Sequence, residues 1–269
     1  MVEAWFALWD CWQEDALVMD KESGFFADPQ KVRYADYEGR HVRTRGPLTI
    51  PRSPQGRPVL MQAGSSPRGR DFAARWAEAI FCSSGSKQDA IEFYTDLKGR
   101  MARFGRAPDD CAICTSTTVV LGETETIARE KAEYLLSLVP LEMVLATNSA
   151  MLGADLSKTS DEVELSRNKG HQGHGGLEDR IHQTMRAEGI SFAEAIRRPR
   201  NLMVGTPAMI ADSMQDLFES EACDGFVLTP TISPLMWEEF ARMLTPELQR
   251  RGLLRTDYTG ATMRENLRS

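Results

Sequence analysis

The chain has 269 residues, of which 42% are hydrophobic, enough for one large α/β domain or two small ones. Its formal net charge of -7 argues against nucleic-acid binding, because no basic excess is available to neutralise phosphates. Five cysteines, an odd number, do not suggest a disulfide framework. No apolar stretch approaches the ~20 residues of a membrane span. No signal peptide is visible either, so a cytoplasmic protein without membrane contact is expected.

The predicted elements begin with a helix at the first residues, where apolar side chains recur at helical spacing without an N-cap. Trp5, Trp9 and Trp12 fall in or beside this helix and need covering by other residues. We therefore expect an upstream portion to be absent from the chain. Residues 39–50 alternate and contain glycine breaks, which predicts a small hairpin.

Strands and helices alternate after the hairpin. Short apolar runs predict strands at 59–63, 78–82, 113–121 and 225–229. Apolar periodicity and capping residues predict helices at 66–76, 88–104, 123–145, 207–218 and 235–251. This alternation is typical of β/α units around a parallel sheet, and it gives about four such units.

Residues 148–200 differ from the rest, because they are polar, glycine-rich and charged, with one candidate helix at 176–188. His171 and His174 in this segment have a spacing that suits a metal. No third ligand lies at a telling spacing, which favours an exposed loop. Cys111 and Cys114 lie three residues apart at a predicted strand, where they face opposite sides. That arrangement favours a structural role, and no metal site is predicted.

The most informative stretch is the turn Gly64-Ser65-Ser66, which separates a predicted strand from a predicted helix. Glycine allows close approach of the backbone, and the first helical turn and two hydroxyls supply hydrogen-bond donors. Phosphate is the usual ligand of such a place, and the alternative is an ordinary serine-capped helix start. Arg68 and Arg70 add positive charge nearby. Whether their side chains point toward a bound phosphate stays open at this point.

Arg52 lies in the proline-rich approach to the same strand. The two prolines and the glycine around it favour a structural role, in which the segment fixes a rigid approach to the strand.

Several segments together resemble one protein family. They are LWDCW at 8–12, RGPL at 45–48, PRSPQGRP at 51–58, QAGSS at 62–66, FAAR at 72–75, FYTDLK at 93–98, VGTP at 204–207 and PELQRRGLLRTDY at 246–258. In this order they are similar to the flavin-dependent monooxygenases of the bacterial-luciferase superfamily, in the branch of nitrilotriacetate monooxygenase component A. The similarity covers nearly the whole chain, apart from the glycine-rich segment near His171.

The resemblance implies an α/β fold, a (β/α)8 TIM barrel that binds FMN at the carboxyl ends of its strands. We expect residues 1–269 to form a single domain, a partial barrel of about four carboxy-terminal β/α units that lacks its amino-terminal half. Residues 148–200 are then an insertion or lid. By the same resemblance Gly64, Ser65 and Ser66 are the cofactor-binding residues that hold the FMN phosphate. Several members of this branch act on carboxylates or sulfones, so the resemblance also makes Arg52 a candidate for holding an anionic substrate. Catalytic residues around the flavin ring are not assigned.

The resemblance also implies oxidation of a small organic substrate by O2 and reduced FMN, with a separate NAD(P)H:flavin reductase as the source of reduced flavin. No Gly-x-Gly-x-x-Gly fingerprint is present, which agrees with dependence on such a partner. A partial barrel leaves open edges, so association into a homo-oligomer or with another partner is expected. Two alternatives stay open. One is a non-catalytic flavin- or phosphate-binding remnant or half-barrel subunit, and the other is a barrel enzyme that acts on phosphate esters.

Overall fold

The computed structural model describes residues 1–84, 86–152, 181, 184–186, 189–199 and 201–268. The described helices are α1 (Val2–Trp9), α2 (Pro67–Trp76), α3 (Lys87–Met101), α4 (Glu125–Ser137), α5 (Leu141–Leu152), α6 (Phe192–Arg197), α7 (Pro207–Glu219), α8 (Leu235–Glu239), α9 (Thr245–Arg250) and α10 (Met263–Arg268). The described strands are β1 (Tyr37–Glu38), β2 (Arg43–Thr44), β3 (Met61–Ala63), β4 (Ala79–Cys82), β5 (Ala112–Leu121), β6 (Leu202–Gly205) and β7 (Gly225–Leu228).

The chain divides into two compact units. The first consists of Met1–Met61, Trp76–Glu78 and Asp257–Ser269, and the second of Gln62–Arg75 and Ala79–Thr256. None of the described helices combines the length and apolar character that crossing a bilayer demands.

The first unit contains α1, the hairpin and α10. Strands β1 and β2 pair antiparallel, so a hairpin is present, but it begins before the predicted residues 39–50 and ends at Thr44. The side chain of Arg264 in α10 donates to the carboxylate of Glu78 and, at 2.9 Å, to the carbonyl of Gln55. This arginine therefore ties the last helix to the proline-rich approach to β3.

The second unit is built on a sheet in which β3, β4, β5 and β6 are neighbours in that order, while β7 also pairs with β5. The β4–β5, β5–β6 and β5–β7 pairs are parallel. The α/β class and the parallel sheet are thus confirmed, and the four predicted strands are present. The prediction missed β6, which adds a fifth strand. The described strands do not confirm the expected partial barrel.

Apolar side chains of the sheet are buried together with side chains of the helices. Ile80 of β4 lies beside Ile113 of β5, and both are fully buried together with Leu97 and Met101 of α3. A second cluster surrounds the last residues of β5 and is made by Val119, Leu121, Ile210, Ala211, Met214, Met236, Leu244 and Leu248. Burial of these apolar side chains fixes β4 and β5 against the helices.

Two predicted helices are interrupted, each by a proline. The predicted helix 123–145 is wrong as a single helix, because α4 ends at Ser137 and α5 begins after Pro140. Proline lacks an amide hydrogen and disfavours helical geometry in the residue before it. The predicted helix 235–251 contains a π-helical segment, Phe240–Leu244, just before Pro246, whose nitrogen has no hydrogen to donate to the preceding turn.

Other helix predictions are confirmed with small shifts of their ends. α1, α2 and α3 form where apolar periodicity predicts them. Thr206 caps α7, since its Oγ1 accepts a hydrogen bond from the amide of Met209 at 3.4 Å. The segment that holds His171 and His174, and most of the candidate helix at 176–188, lie outside the described residues.

A buried network holds the amino-terminal ends of β5 and β7 together. Asp224 Oδ2 accepts from Lys98 Nζ at 2.8 Å and from the amide of Ile113 at 2.7 Å. Asp224 Oδ1 accepts from the hydroxyl of Tyr94 at 2.9 Å. The Lys98 side chain is only 9% exposed, so this carboxylate balances a charge that water hardly reaches. Burial, followed by the charge of Asp224, raises the pKa of Tyr94 and keeps its hydroxyl a donor.

We expect Asp224→Ala to lower the free energy of unfolding by about 3 kcal/mol, because it leaves the buried Lys98 charge unpaired. Asp216→Ala is the matched control, since Asp216 pairs with Lys87 at 2.7 Å on the surface. The control should cost less than about 1 kcal/mol. Urea denaturation followed by circular dichroism measures both, and equal losses in the two variants would contradict the assigned role.

Candidate functional site

The structure brings Gly64, Ser65 and Ser66 together in an exposed turn between β3 and α2. The backbone of Gly64 has φ +139°, a conformation that residues with a Cβ rarely adopt. The turn therefore depends on glycine at this position, as the sequence indicates.

Ser66 caps α2, because its Oγ accepts a hydrogen bond from the amide of Gly69 at 3.1 Å. The serine-capped helix start proposed as the alternative is therefore present. This cap leaves the backbone hydrogen-bond donors of the turn available. Within the described part of the chain, the amides of Ser65 and Ser66 have no hydrogen-bond acceptor, so they are available to an anion.

Arg70 fixes the direction of these donors. Its Nε donates to the carbonyl of Ser65 at 2.9 Å, and its Nη1 donates to Asp96 Oδ2 at 2.7 Å. The carbonyl of Ser65 and the amide of Ser66 belong to one planar peptide group and point in opposite directions. Holding the carbonyl on the side of Arg70 therefore directs the Ser66 N–H to the other side.

The charge of Arg70 is balanced within the protein rather than directed at a ligand. Asp96 also accepts from Arg100 Nε at 2.9 Å, and Arg100 Nη1 donates to Asp71 at 2.6 Å. The hydrogen bonds from Arg100 and then Arg70 hold the pKa of Asp96 below its usual range, although burial opposes them. Arg68 differs, because it is exposed and has no ion-pair partner among the described residues.

The turn packs closely on the first residues of α2. A Cβ added at Gly69 would lie 3.2 Å from Ser66 Oγ and 3.3 Å from the carbonyl oxygen of Gly64. Such contacts are tighter than most real ones, so Gly69 leaves room for the turn to fold back on the helix. The result is a cradle of backbone groups at the amino-terminal end of a helix.

Two buried polar atoms, one in β3 and one just after β4, lack a partner among the described residues: Gln62 Oε1 and Ser83 Oγ. Gln62 is in β3, and its Nε2 donates to the carbonyl of Ala63 at 2.9 Å. Ser83 directly follows β4. The sequence analysis assigned no role of its own to Gln62, although Gln62 lies in the QAGSS segment, and it did not single out Ser83, whose signal is its place near the end of a predicted strand. Buried polar atoms are normally hydrogen-bonded, so an unsatisfied pair suggests a ligand.

Other candidate residues from the sequence have surroundings of their own. Cys111 is buried and Cys114 half-buried, and both carry free thiols. Burial raises the pKa of Cys111 to about 11, so it stays a neutral thiol, in agreement with a structural role.

Arg52 belongs to the first unit, where its guanidinium lies over Gly56 with Nη2 2.6 Å from the position of an added Cβ. Its Nε is buried without a partner among the described residues, and anion binding by Arg52 stays a prediction.

Comparison with known proteins relates the chain to one enzyme family. The family model described as luciferase-like monooxygenase matches residues 11–223. The dibenzothiophene-sulfone monooxygenase of Rhodococcus erythropolis is 40% identical over 275 residues, covering 99% of this chain and 61% of that protein. Nitrilotriacetate monooxygenase component A of Aminobacter aminovorans is 36% identical over 272 residues, covering 97% of this chain and 59% of that protein.

Solved structures agree with these relatives. A long-chain alkane monooxygenase superposes with TM-score 0.82 at 34% identity, over 99% of this chain and 58% of that one. A riboflavin lyase, solved with modified FMN and riboflavin, superposes with TM-score 0.78 at 30% identity, over 99% of this chain and 60% of that one. The chain thus spans about three-fifths of the length of the relatives that it matches. These matches do not support the narrower expectation that it corresponds to a carboxy-terminal part alone.

The strain assigned to Gly64 can be tested without any ligand. We expect Gly64→Ala to lower the free energy of unfolding by about 1–3 kcal/mol, because alanine is strained at this φ. The same substitution at Gly99, in the interior of α3 with nothing near the added methyl group, should raise it by about 0.5–1 kcal/mol. Urea denaturation of both variants checks the opposite signs, and a stabilising Gly64→Ala would show that the turn does not need glycine.

Proposed function

Because the chain belongs to the luciferase-like monooxygenase family, we propose that it binds FMN and uses the reduced flavin with O2 to oxidise a small organic substrate. The observation that carries the proposal is the exposed turn at Gly64, Ser65 and Ser66. The amides of Ser65 and Ser66, which have no acceptor among the described residues, lie where a strand ends and a helix begins.

The turn suits the phosphate of FMN on three physical grounds. Amide donors at the start of a helix bind dianionic groups, since the helix dipole adds partial positive charge there. α2 has ten residues, enough for this effect. Arg68 adds an exposed positive charge close by. Arg70 acts on the phosphate indirectly, because it directs the Ser66 amide and is itself balanced by Asp96.

The unsatisfied atoms of Gln62 and Ser83 also fit a bound flavin, since a ligand beside the turn would give them partners. When bound, reduced FMN supplies the two electrons with which one oxygen atom of O2 enters the substrate while the other leaves as water. The residues of this chain bind and orient the cofactor in this proposal. Among the described residues no catalytic side chain is assigned.

The relatives support the cofactor and leave the substrate open. The riboflavin lyase, solved with modified FMN, supports FMN as the flavin here. The names of the relatives point to a sulfone, to nitrilotriacetate and to long-chain alkanes, so the proposal goes no further than a small organic substrate. The relative from Aminobacter is called component A, which favours a separate component, here an NAD(P)H:flavin reductase, as the source of reduced FMN.

We expect Ser65→Asp to weaken FMN binding at least about tenfold, because it places a carboxylate against the phosphate dianion. Titration of flavin fluorescence measures the affinity. Ser65→Asn is the matched control, since its side chain has nearly the same shape without the charge, and it should bind FMN more tightly than the aspartate variant.

Riboflavin, which lacks the phosphate, separates charge repulsion from misfolding. Its affinity should change less than about twofold between the parent and Ser65→Asp, because no ligand charge is present to be repelled. Equal FMN affinity in the parent and in Ser65→Asp would contradict the phosphate assignment. Binding of inorganic phosphate without any flavin binding would favour an enzyme acting on phosphate esters instead.

Dependence on a reductase gives a second expected outcome. FMN mixed with this protein and NADH or NADPH should keep its oxidised absorbance, and it should lose that absorbance only after a flavin reductase is added under anaerobic conditions. The visible spectrum measures both states. Rapid flavin reduction by the chain with NADH or NADPH alone would show that no separate reductase is needed.

A further inference from the structure

We propose that Gln62 and Ser83 bind the polyol chain of the flavin, the ribityl group that joins its phosphate to its ring. This inference rests on the proposed FMN binding and adds residues and a ligand group to it. It starts from two buried oxygen atoms, Gln62 Oε1 and Ser83 Oγ, that have no hydrogen-bond partner among the described residues. A buried polar atom that stays unsatisfied destabilises the protein, so a ligand that supplies its partner is bound more tightly.

Gln62 lies directly against the turn at Gly64, Ser65 and Ser66. Its Nε2 is 3.1 Å from the position of a Cβ at Gly64 and 3.4 Å from that of a Cβ at Gly69. The same nitrogen donates to the carbonyl of Ala63 at 2.9 Å. Because this bond fixes which end of the amide is the nitrogen, Oε1 is the atom left for a ligand.

Ser83 belongs to the same edge of the sheet. It directly follows β4, and β4 is the neighbour of β3. α2 connects the two strands as a crossover, so their carboxyl ends lie at one edge. The turn at Gly64, Ser65 and Ser66 therefore lies at the same edge of the sheet as Gln62 and Ser83, within the second unit.

Hydrogen-bond chemistry decides which part of the flavin can satisfy these atoms. Gln62 Oε1 is an acceptor only, and a phosphate dianion has no hydrogen to donate to it. The ligand group that satisfies Gln62 Oε1 must carry a hydrogen-bond donor and must lie next to the phosphate. The ribityl hydroxyl groups meet both conditions, since they adjoin the phosphate ester and can donate to Gln62 and exchange a hydrogen bond with Ser83.

A third buried oxygen atom that lacks a partner among the described residues provides a matched control. Thr117 Oγ1 is also unsatisfied within the described residues, yet Thr117 is fully buried in β5. It shares a strand face with Ile113, which packs in the apolar core. Thr117→Val is therefore expected to leave flavin binding unchanged.

The test compares riboflavin, which has the polyol chain, with lumiflavin, which carries a methyl group in its place. In the parent, riboflavin should bind about tenfold more tightly than lumiflavin, as expected for hydrogen bonds to otherwise unsatisfied groups. Ser83→Ala and Gln62→Met should each reduce this ratio about threefold or more while lumiflavin affinity stays the same. Fluorescence titration measures every affinity, and urea denaturation confirms that the variants fold as stably as the parent.

A ratio of riboflavin to lumiflavin affinity that stays at the parent value in Ser83→Ala and Gln62→Met would overturn the inference and leave FMN binding intact. A ratio that falls equally in Thr117→Val would overturn it too, since the effect would then not be specific to the site. Failure of the parent to bind FMN at all would overturn the proposed function, and this inference with it.

Discussion

The hydrogen bond from Arg70 to the carbonyl of Ser65 is the interaction on which the candidate site depends. It holds one side of the Ser65–Ser66 peptide group and so directs the Ser66 N–H to the opposite side. Asp96 holds the arginine in turn and balances its charge. The donors of the turn are thereby fixed before any ligand arrives, which reduces the entropy that binding must overcome.

This arrangement divides two tasks between neighbouring arginines. Arg70 is a positioning residue, since its guanidinium is occupied by a carbonyl and a carboxylate of the protein. Arg68 is exposed, and within the described chain its charge is not balanced by an ion pair. A phosphate bound mainly by oriented amides keeps a defined position, whereas an exposed arginine contributes attraction that salt screens. The structure thus favours backbone recognition, with surface charge as a supplement.

The sequence predicted the parts of the fold that rest on local patterns. The apolar runs of β4, β5 and β7 and the turn at Gly64 were predicted because strand propensity, glycine and capping residues leave a local signal. β6 was missed, since it has only four residues and runs straight into the cap of α7. The break at Pro140 shows that apolar periodicity can continue across a residue that cannot take part in a helix.

The candidate site was predictable in part for the same reason. Gly64, Ser65 and Ser66 are adjacent in the sequence, so their chemistry could be inferred together. Gln62 and Ser83 could not be predicted as a pair, because their burial and lack of partners arise only when β3 and β4 become neighbours in the sheet. Nor could the direction of Arg70 be predicted, since it depends on Asp96, 26 residues away in α3.

The amides of Ser65 and Ser66 are proposed to hold the phosphate of FMN. The most direct measurement is an NMR titration of an isotope-labelled sample that follows the amide signals of Ser65 and Ser66. We predict that FMN shifts both signals strongly and that riboflavin, at equal occupancy, leaves them nearly in place. Bound FMN that moves neither amide would contradict the claim.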